Sequence, residues 1–543
     1  MSKILIISLL LINISIFAQQ KAKPAVVADS PKLVVGIVVD QMRYDYLYRY
    51  GAKYGKGGLK RMMSEGFNAK NLHYNYGPTV TAAGHAAIFT GSVPNVNGII
   101  GNDWYDQKTN KNVYCTEDST VTTVGSTSTA GKMSPKNLLV STVTDQLRIA
   151  NNFRSKTIGV ALKDRGSILP AGHTANGAYW FDSFNGSWIT STFYMNDLPQ
   201  WVKDFNAKKS ADKYKNATWN TLLPIEQYTE STADEVPYES KMFGQANTSF
   251  PHQLLEAKGN VYEMLKSSPF GNTITKEFAL AAIDGENLGK DEFTDFLTIS
   301  FSSPDYVGHA FGPNSIEVED IYLRLDKDIE EILNALDSKL GKNNYLVFLS
   351  ADHGVADVPG LWKQNKLPAG LLQTIGIRNL ANDVLNKKFG VNNLIEAEDN
   401  NQYYLNDKIL KDKNLSVNEV CAVIKENILG IEGLADVINL HELNNVKLEA
   451  SLLSKIVNGI NVKRSGDIML LARPMYYAGR PTGTGHSAIY NYDSHVPALF
   501  FGWKIPKGES AVRYSISDIA PTVSNLLNIL EPSGSIGNPI IFK

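Results

Sequence analysis

Three aspartates and three histidines stand where a folded chain could gather them: Asp40, Asp305, His309, Asp352, His353 and His486. Asp40 closes the apolar run LVVGIVV. Asp305 and His309, in PDYVGHAFG, are four residues apart, so a helical turn puts both on one face. Asp352 and His353 are adjacent. Neighbours within a strand face opposite ways, but just past a strand end both can turn toward one centre, and Gly354 gives the chain freedom to turn there. His486 lies in the glycine-rich stretch TGTGHSA. Imidazole and carboxylate together suit divalent ions of borderline character, Zn²⁺ before Mg²⁺ or Ca²⁺. Six donors can serve two ions, and two ions ~4 Å apart are a recurrent device for in-line displacement at phosphorus.

Such a centre needs a nucleophile. The stretch YGPTVTAAGHAAIFTG, residues 76–91, holds Thr79, Thr81 and Thr90. Thr81 precedes a run of small residues able to form a helix, and would lie at its N-terminus, where free N–H groups and the dipole favour anions. A metal-bound hydroxyl there loses its proton far more readily than free threonine. Without metal partners Thr81 reads as a plain N-cap. Thr79 follows Pro78 and reads as packing or turn chemistry; Thr90 falls near the helix end. His85 is expected to be packed and hydrogen-bonded. His73, His173, His252 and His441 are expected in surface or hydrogen-bonded roles, and His495 stays outside the ligand set.

The donors must be carried by something regular. Leu33 to Val39, Thr157 to Leu162, Asp295 to Phe301, Tyr345 to Leu349 and Pro497 to Phe501 are short apolar runs that read as buried strands. Between them Ser315 to Leu340 has apolar residues at near-helical spacing, and Ser517 to Ile529 reads as a last helix. Alternating strands and helices predict an α/β fold with a mostly parallel central sheet covered on both faces. In such sheets the site lies beyond the carboxyl ends of the strands, where these polar residues gather. Two stretches, about 166–272 and 357–462, break the rhythm and read as insertions on one core spanning 31–543.

The net charge of −2 argues against a nucleic-acid partner. Residues 1–18, with Lys3 followed by the apolar run Ile4 to Phe17 and then Ala18, read as a signal peptide too short to span a bilayer. No later run is long enough for a membrane span, so a soluble periplasmic or secreted protein is expected. Neither Cys115 nor Cys421 has the spacing of a metal or redox motif; they read as isolated thiols, with a disulfide closing a very long loop left open as the alternative in an exported protein.

The order Asp40, PTVTAAGH…TGSVPNVNGIIGNDWYD, LKDR, Asp305-x-x-x-His309, Asp352-His353, His486 and YDSH resembles the alkaline phosphatase superfamily. Within it the chain is most similar to the nucleotide pyrophosphatase/phosphodiesterase-like branch, and there to the PafA-type flavobacterial alkaline phosphatases with a threonine nucleophile. The resemblance covers the whole chain after the leader. It implies two Zn²⁺. Asp40, Asp352 and His353, with Thr81, would bind the ion that activates the attacking oxygen. Asp305, His309 and His486 would bind the ion facing the leaving group. Asn102, Lys163 and Arg165 would contact the phosphoryl group. Lys163 and Arg165, two apart, would point to one side of an extended continuation of their strand. It implies a monomer hydrolysing small phosphate monoesters through a phosphothreonine; the alternative is a phosphodiesterase on the same metal core. The sulfatase motif C/S-x-P-x-R is absent.

Overall fold

The computed structural model describes residues 29–242, 244–254 and 260–542. The expected signal peptide, 1–18, lies outside them. We number the elements that frame the site in chain order. The strands are β1 (Leu33–Val39), β2 (Phe67–His73), β3 (Thr157–Ala161), β4 (Gly177–Asp182), β5 (Ser187–Ser191), β6 (Asp295–Phe301), β7 (Tyr345–Ser350) and β8 (Ala498–Gly502). The helices are α1 (Thr81–Thr90), α2 (Asp164–Ala171), α3 (Ser303–Phe311) and α4 (Ile316–Leu340).

The strands line up as β2-β8-β7-β1-β6-β3-β4-β5 in one large sheet, extended at its edges by further strands, among them Gly508–Ser515 beside β2. From β7 to β4 every pairing is parallel. β8 runs antiparallel between β7 and β2, and β5 antiparallel beside β4. This is the mostly parallel α/β sheet the sequence predicts. β1, β6 and β7 are buried along their whole length, which their unbroken β-branched and aromatic character requires. Each fully buried Val, Leu or Ile there contributes roughly 1.5–3 kcal/mol. α4 begins where Ser315 accepts the Val318 N–H at 3.1 Å, and its apolar stripe packs on the sheet.

Strand register aligns the donors. Val39 of β1 lies opposite Phe301 of β6, and Val38 opposite Ser350 of β7. The three strands therefore end level, and the residues just after them share one edge.

Three expectations need adjustment. The strand at 157 stops at Ala161, and α2 starts at Asp164. The stretch 166–272 is not wholly an insertion, because β4 and β5 belong to the central sheet. The stretch at 357–462 folds around its own four-stranded sheet, but that sheet includes Ile468–Ala472, beyond the expected boundary. Leu385, Val420, Ile424 and Leu470 fill its core, separate from the main one. Cys115 and Cys421 are both buried free thiols, in keeping with their spacing.

Candidate active site

β1 and β7 are neighbours, so Asp40 and the pair Asp352-His353 emerge side by side. All three are fully buried. His353 Nε2 stands 3.5 Å from Asp40 Oδ1 and 3.7 Å from Asp352 Oδ2. None of these three atoms has a hydrogen-bond partner in the structure. Buried polar atoms are nearly always satisfied, so three orphans facing one another mark a place for a cation. Burial and the Asp40 charge push the Asp352 carboxyl well above its usual range. Burial pushes His353 down to about 3, which keeps its lone pair free. Two carboxylates and a neutral imidazole fit a zinc-like ion.

Gln41 follows Asp40 with a φ of 66°, in the left-handed region. That turn lets its N–H donate to Asp352 Oδ1 at 3.0 Å while its side-chain amide donates to Asp305 Oδ1 at 2.7 Å. One residue thus braces both halves of the site.

The second half comes from α3 and a loop. Asp305 and His309 share one helix face as their spacing predicts, with His309 Nε2 3.2 Å from Asp305 Oδ1. His486 Nε2 lies 3.8 Å from the same oxygen. Atoms of Asp305, His353 and His486 converge within 4.8 Å, as do those of Asp40, Asp352 and His353. His353 therefore stands between the groups, its ring stacked on His486 at 3.7 Å, while His309 adjoins through Asp305. Each imidazole donates Nδ1–H to a carbonyl: His309 to Thr484 at 2.9 Å, His353 to Gly354 at 2.9 Å, His486 to Thr79 at 2.7 Å. A carbonyl only accepts, so Nδ1 carries the proton and Nε2 of each ring is left as a donor atom for a metal.

α1 starts at Thr81, and the N-cap is Val80, with an extended backbone and no side-chain cap. This corrects the plain N-cap reading. The helical conformation already begins at Thr81, so its hydroxyl does not fold back on its own helix. Thr81 Oγ1 lies 3.5 Å from Lys163 Nζ. The Ala82 N–H donates to Asn102 Oδ1 at 2.9 Å, which brings Asn102 to the helix start. His85, packed and satisfied as expected, donates to the Thr81 carbonyl at 2.8 Å and accepts from Ser300 at 2.8 Å. The helix is buried on every side because TAAGHAAIFT is made of small and apolar residues apart from His85, whose ring nitrogens are both hydrogen-bonded. A methyl on Gly84 would overlap the main chain of Asp352.

Lys163 and Arg165 are not on an extended strand end. Lys163 is the N-cap of α2 and Arg165 lies in its first turn, so helix geometry sets their directions. Lys163 Nζ donates to Asp40 Oδ2 at 2.6 Å and Asp305 Oδ2 at 2.7 Å, spanning the two groups. Burial opposes its charge, but Asp305 and Asp40 outweigh burial and hold its pKa above the ordinary value. Arg165 donates to the Tyr114 hydroxyl at 3.0 Å, and its Nε is buried without a partner.

Thr79 does more than turn chemistry. Its carbonyl orients His486, and its hydroxyl donates to Ala488 O at 3.1 Å beside Asp493 Oδ2 at 3.4 Å. Asp493 also accepts the Ala488 N–H at 2.6 Å, and its carbonyl accepts the Gly354 N–H at 2.7 Å. It so fixes the chain beside both His486 and His353. The segment YDSH does carry a signal here, but the useful residue is Asp493 and not His495. His495 bonds the Lys70 carbonyl at 2.9 Å and stacks on His73, as part of the sheet edge.

A family profile described as type I phosphodiesterase / nucleotide pyrophosphatase matches residues 34–495. Alkaline phosphatase PhoV of Synechococcus elongatus is 51% identical over 526 residues, covering 96% of this chain and 95% of that protein. Alkaline phosphatase PafA of Elizabethkingia meningoseptica is 50% identical over 94% of both chains. The crystal structure of wild-type PafA superposes with a TM-score of 0.91, covering 95% of this chain and 99% of that one. A Myroides odoratus protein named a calcium-transporting ATPase is 48% identical over 94% of both. With a profile spanning most of its length and relatives near half identity from end to end, the chain belongs to the type I phosphodiesterase / nucleotide pyrophosphatase family.

Proposed function

We propose that this protein is an exported alkaline phosphatase that hydrolyses phosphate monoesters through a covalent phosphothreonine at a two-zinc centre. Its catalytic unit is the single domain 31–543, acting as a monomer, with the segment between β5 and about residue 272 and the lobe of about 357–472 as accessory parts. The carrying observation is Thr81 Oγ1 at the start of a buried helix, 3.5 Å from Lys163 Nζ, whose ammonium also bonds Asp40 and Asp305. The names of PhoV and PafA support the activity. So does the existence of a crystallised PafA variant in which a threonine, an asparagine, a lysine and an arginine are replaced, the residue types of Thr81, Asn102, Lys163 and Arg165.

Asp40, Asp352 and His353 would hold one ion and Asp305, His309 and His486 the other. When bound, the ions supply Lewis acidity that favours ionised Thr81 and stabilises charge on the leaving oxygen. Thr81 Oγ attacks phosphorus in line. A new O–P bond forms while the bond to the alcohol oxygen breaks, and that oxygen leaves with the electron pair. Water then attacks from the vacated side, breaks the Thr81 Oγ–P bond and releases inorganic phosphate. Asn102 uses its carbonyl oxygen on the helix, which leaves its amide N–H groups for a phosphoryl oxygen. Lys163 and Arg165 supply positive charge for the second negative charge that a monoester carries and a diester lacks. Positioned charge of this kind is the main source of catalysis in phosphoryl transfer.

The family's name favours one second reading, a phosphodiesterase on the same core. The ratio of kcat/KM on p-nitrophenyl phosphate and bis-p-nitrophenyl phosphate decides between them. The monoester should win by at least about 10²-fold, a difference of some 2.7 kcal/mol in transition-state binding. Preference for the diester would overturn the assignment. Thr81→Ala should abolish turnover while Thr79→Ala, which keeps the carbonyl under His486, retains it. Metal analysis of the active protein should return two zinc ions. For export, the mature protein should begin at Gln19 outside the cytoplasm. No helix among the described residues is long and apolar enough to cross a membrane.

A further inference from the structure

A cavity of about 540 Å³ opens beside the site. Its floor is the exposed side of α3, with Tyr306 and His309, and it reaches His486. Thr81, Asp40 and Asp352 are not among its lining residues. In an in-line displacement the departing alcohol lies opposite the nucleophile. On the reading proposed above, this cavity therefore receives the alcohol part of the substrate.

Its walls are held firmly. Ser240 donates its N–H to the Ala310 carbonyl at 2.9 Å, and its hydroxyl meets that of Thr482 at 2.9 Å. Gly483 donates to Tyr238 O at 2.8 Å, and Thr484 to His309 O at 3.1 Å. Lys241 and Arg480 project from these two anchored walls. No aspartate or glutamate lines the cavity, and among the described residues neither cation has a carboxylate partner. Buried Lys163, by contrast, is saturated by Asp40 and Asp305. Two cations facing a cavity with no carboxylate among its described lining residues raise the local concentration of anions and favour an anionic occupant.

We propose that Lys241 and Arg480 form a second anion subsite, selecting phosphate monoesters whose alcohol part carries a further negative group, a carboxylate or a second phosphate. The inference rests on the monoesterase reading. It differs from a broad-specificity pocket in requiring a charge at one end of the leaving group.

A matched pair of substrates tests it. Glycerol 2-phosphate and 2-phosphoglycerate are both monoesters of a secondary alcohol and differ by one carboxylate. At low ionic strength the wild-type protein should favour 2-phosphoglycerate by about five-fold in kcat/KM, and the preference should shrink as salt screens the exposed cations. Lys241→Ala with Arg480→Ala should bring the ratio to about one. Lys241→Arg with Arg480→Lys keeps both charges and should keep the preference, which separates charge from altered packing. A wild-type ratio at or below one, or an unchanged ratio in the double alanine variant, overturns the subsite. Failure to release phosphate from either substrate overturns the monoesterase reading itself, and this inference with it.

Discussion

The two halves of the site are built differently. Asp40, Asp352 and His353 follow the ends of adjacent strands, and none has any exposed surface. Asp305, His309 and His486 come from a helix and a loop, and the His309 side chain is 41% exposed. The deep group is positioned by sheet register, which one residue cannot alter without disturbing β1, β6 and β7 together. The outer group is positioned by hydrogen bonds to the Thr79 and Thr484 carbonyls and to the Asp493 carboxylate. The difference assigns the halves distinct tolerances: the inner one is fixed by the fold, the outer one by a few replaceable contacts.

Substitutions should expose that contrast most strongly in turnover. On the proposed two-zinc reading, Asp352→Asn would remove a ligand that nothing nearby can replace, and several kcal/mol of transition-state stabilisation should go with it, a loss of ~10³-fold or more in kcat/KM on p-nitrophenyl phosphate. His309→Ala opens the solvent side, where water can substitute, and should cost on the order of 10²-fold, partly recovered by excess zinc. Equal losses would break the comparison. Next in size, Asp493→Asn should weaken zinc at the outer group by about 10- to 100-fold, the usual effect of removing a partner that orients a ligand. Because Asp493 also bonds Gly354, competition titration with a chelator should be followed for both ions, and the inner one should shift less. For the unaltered protein a chelator titration should remove zinc in two steps, and His309→Ala should move only the earlier one.

The smallest effect concerns stability without metal. The Asp352 carboxyl sits above its usual range because of burial and Asp40. A folded-state pKa raised above the unfolded value means a stabilising contribution complete below the unfolded pKa and lost as pH rises through the folded one. In chelator-treated protein Asp352→Asn should therefore raise Tm at pH 8, by a degree or two for ~1 kcal/mol in a domain of this size. Acidification toward pH 4 should erase the gain, because the wild-type carboxyl is then protonated too. A variant less stable than the wild type at pH 8 would refute the like-charge account.

The inner group is legible in the sequence because strand-end position follows from apolar runs: Asp40 closes one, and the pair Asp352-His353 follows the end of another. The helical pair Asp305 and His309 is legible from spacing. Lys163 and Arg165 stand out along the chain but are assigned to the wrong element, since α2 starts three residues after β3 and its small residues give no amphipathic signal. Thr79 escapes a reading by residue type because its carbonyl acts on His486, and every residue has a carbonyl. Gln41 is invisible for a related reason: its bracing depends on a left-handed backbone that no local pattern marks. The stretch after Gly166 looks irregular because β4 and β5 are short and joined by a tight turn.

The closeness of Gly84 to the main chain of Asp352 has an evolutionary consequence. The gap between the helix of Thr81 and the turn that carries Asp352 is a contact of backbone on backbone. Side chains normally act as adjustable spacers, but here there is none to lengthen or shorten, and the nearest available change, Gly84→Ala, can only prise the two apart. Single substitutions at this position therefore offer no graded way to respace the centre. Changes in what the enzyme accepts are more readily accommodated at the rim, in segments such as 240–242 and 478–487, than at this contact.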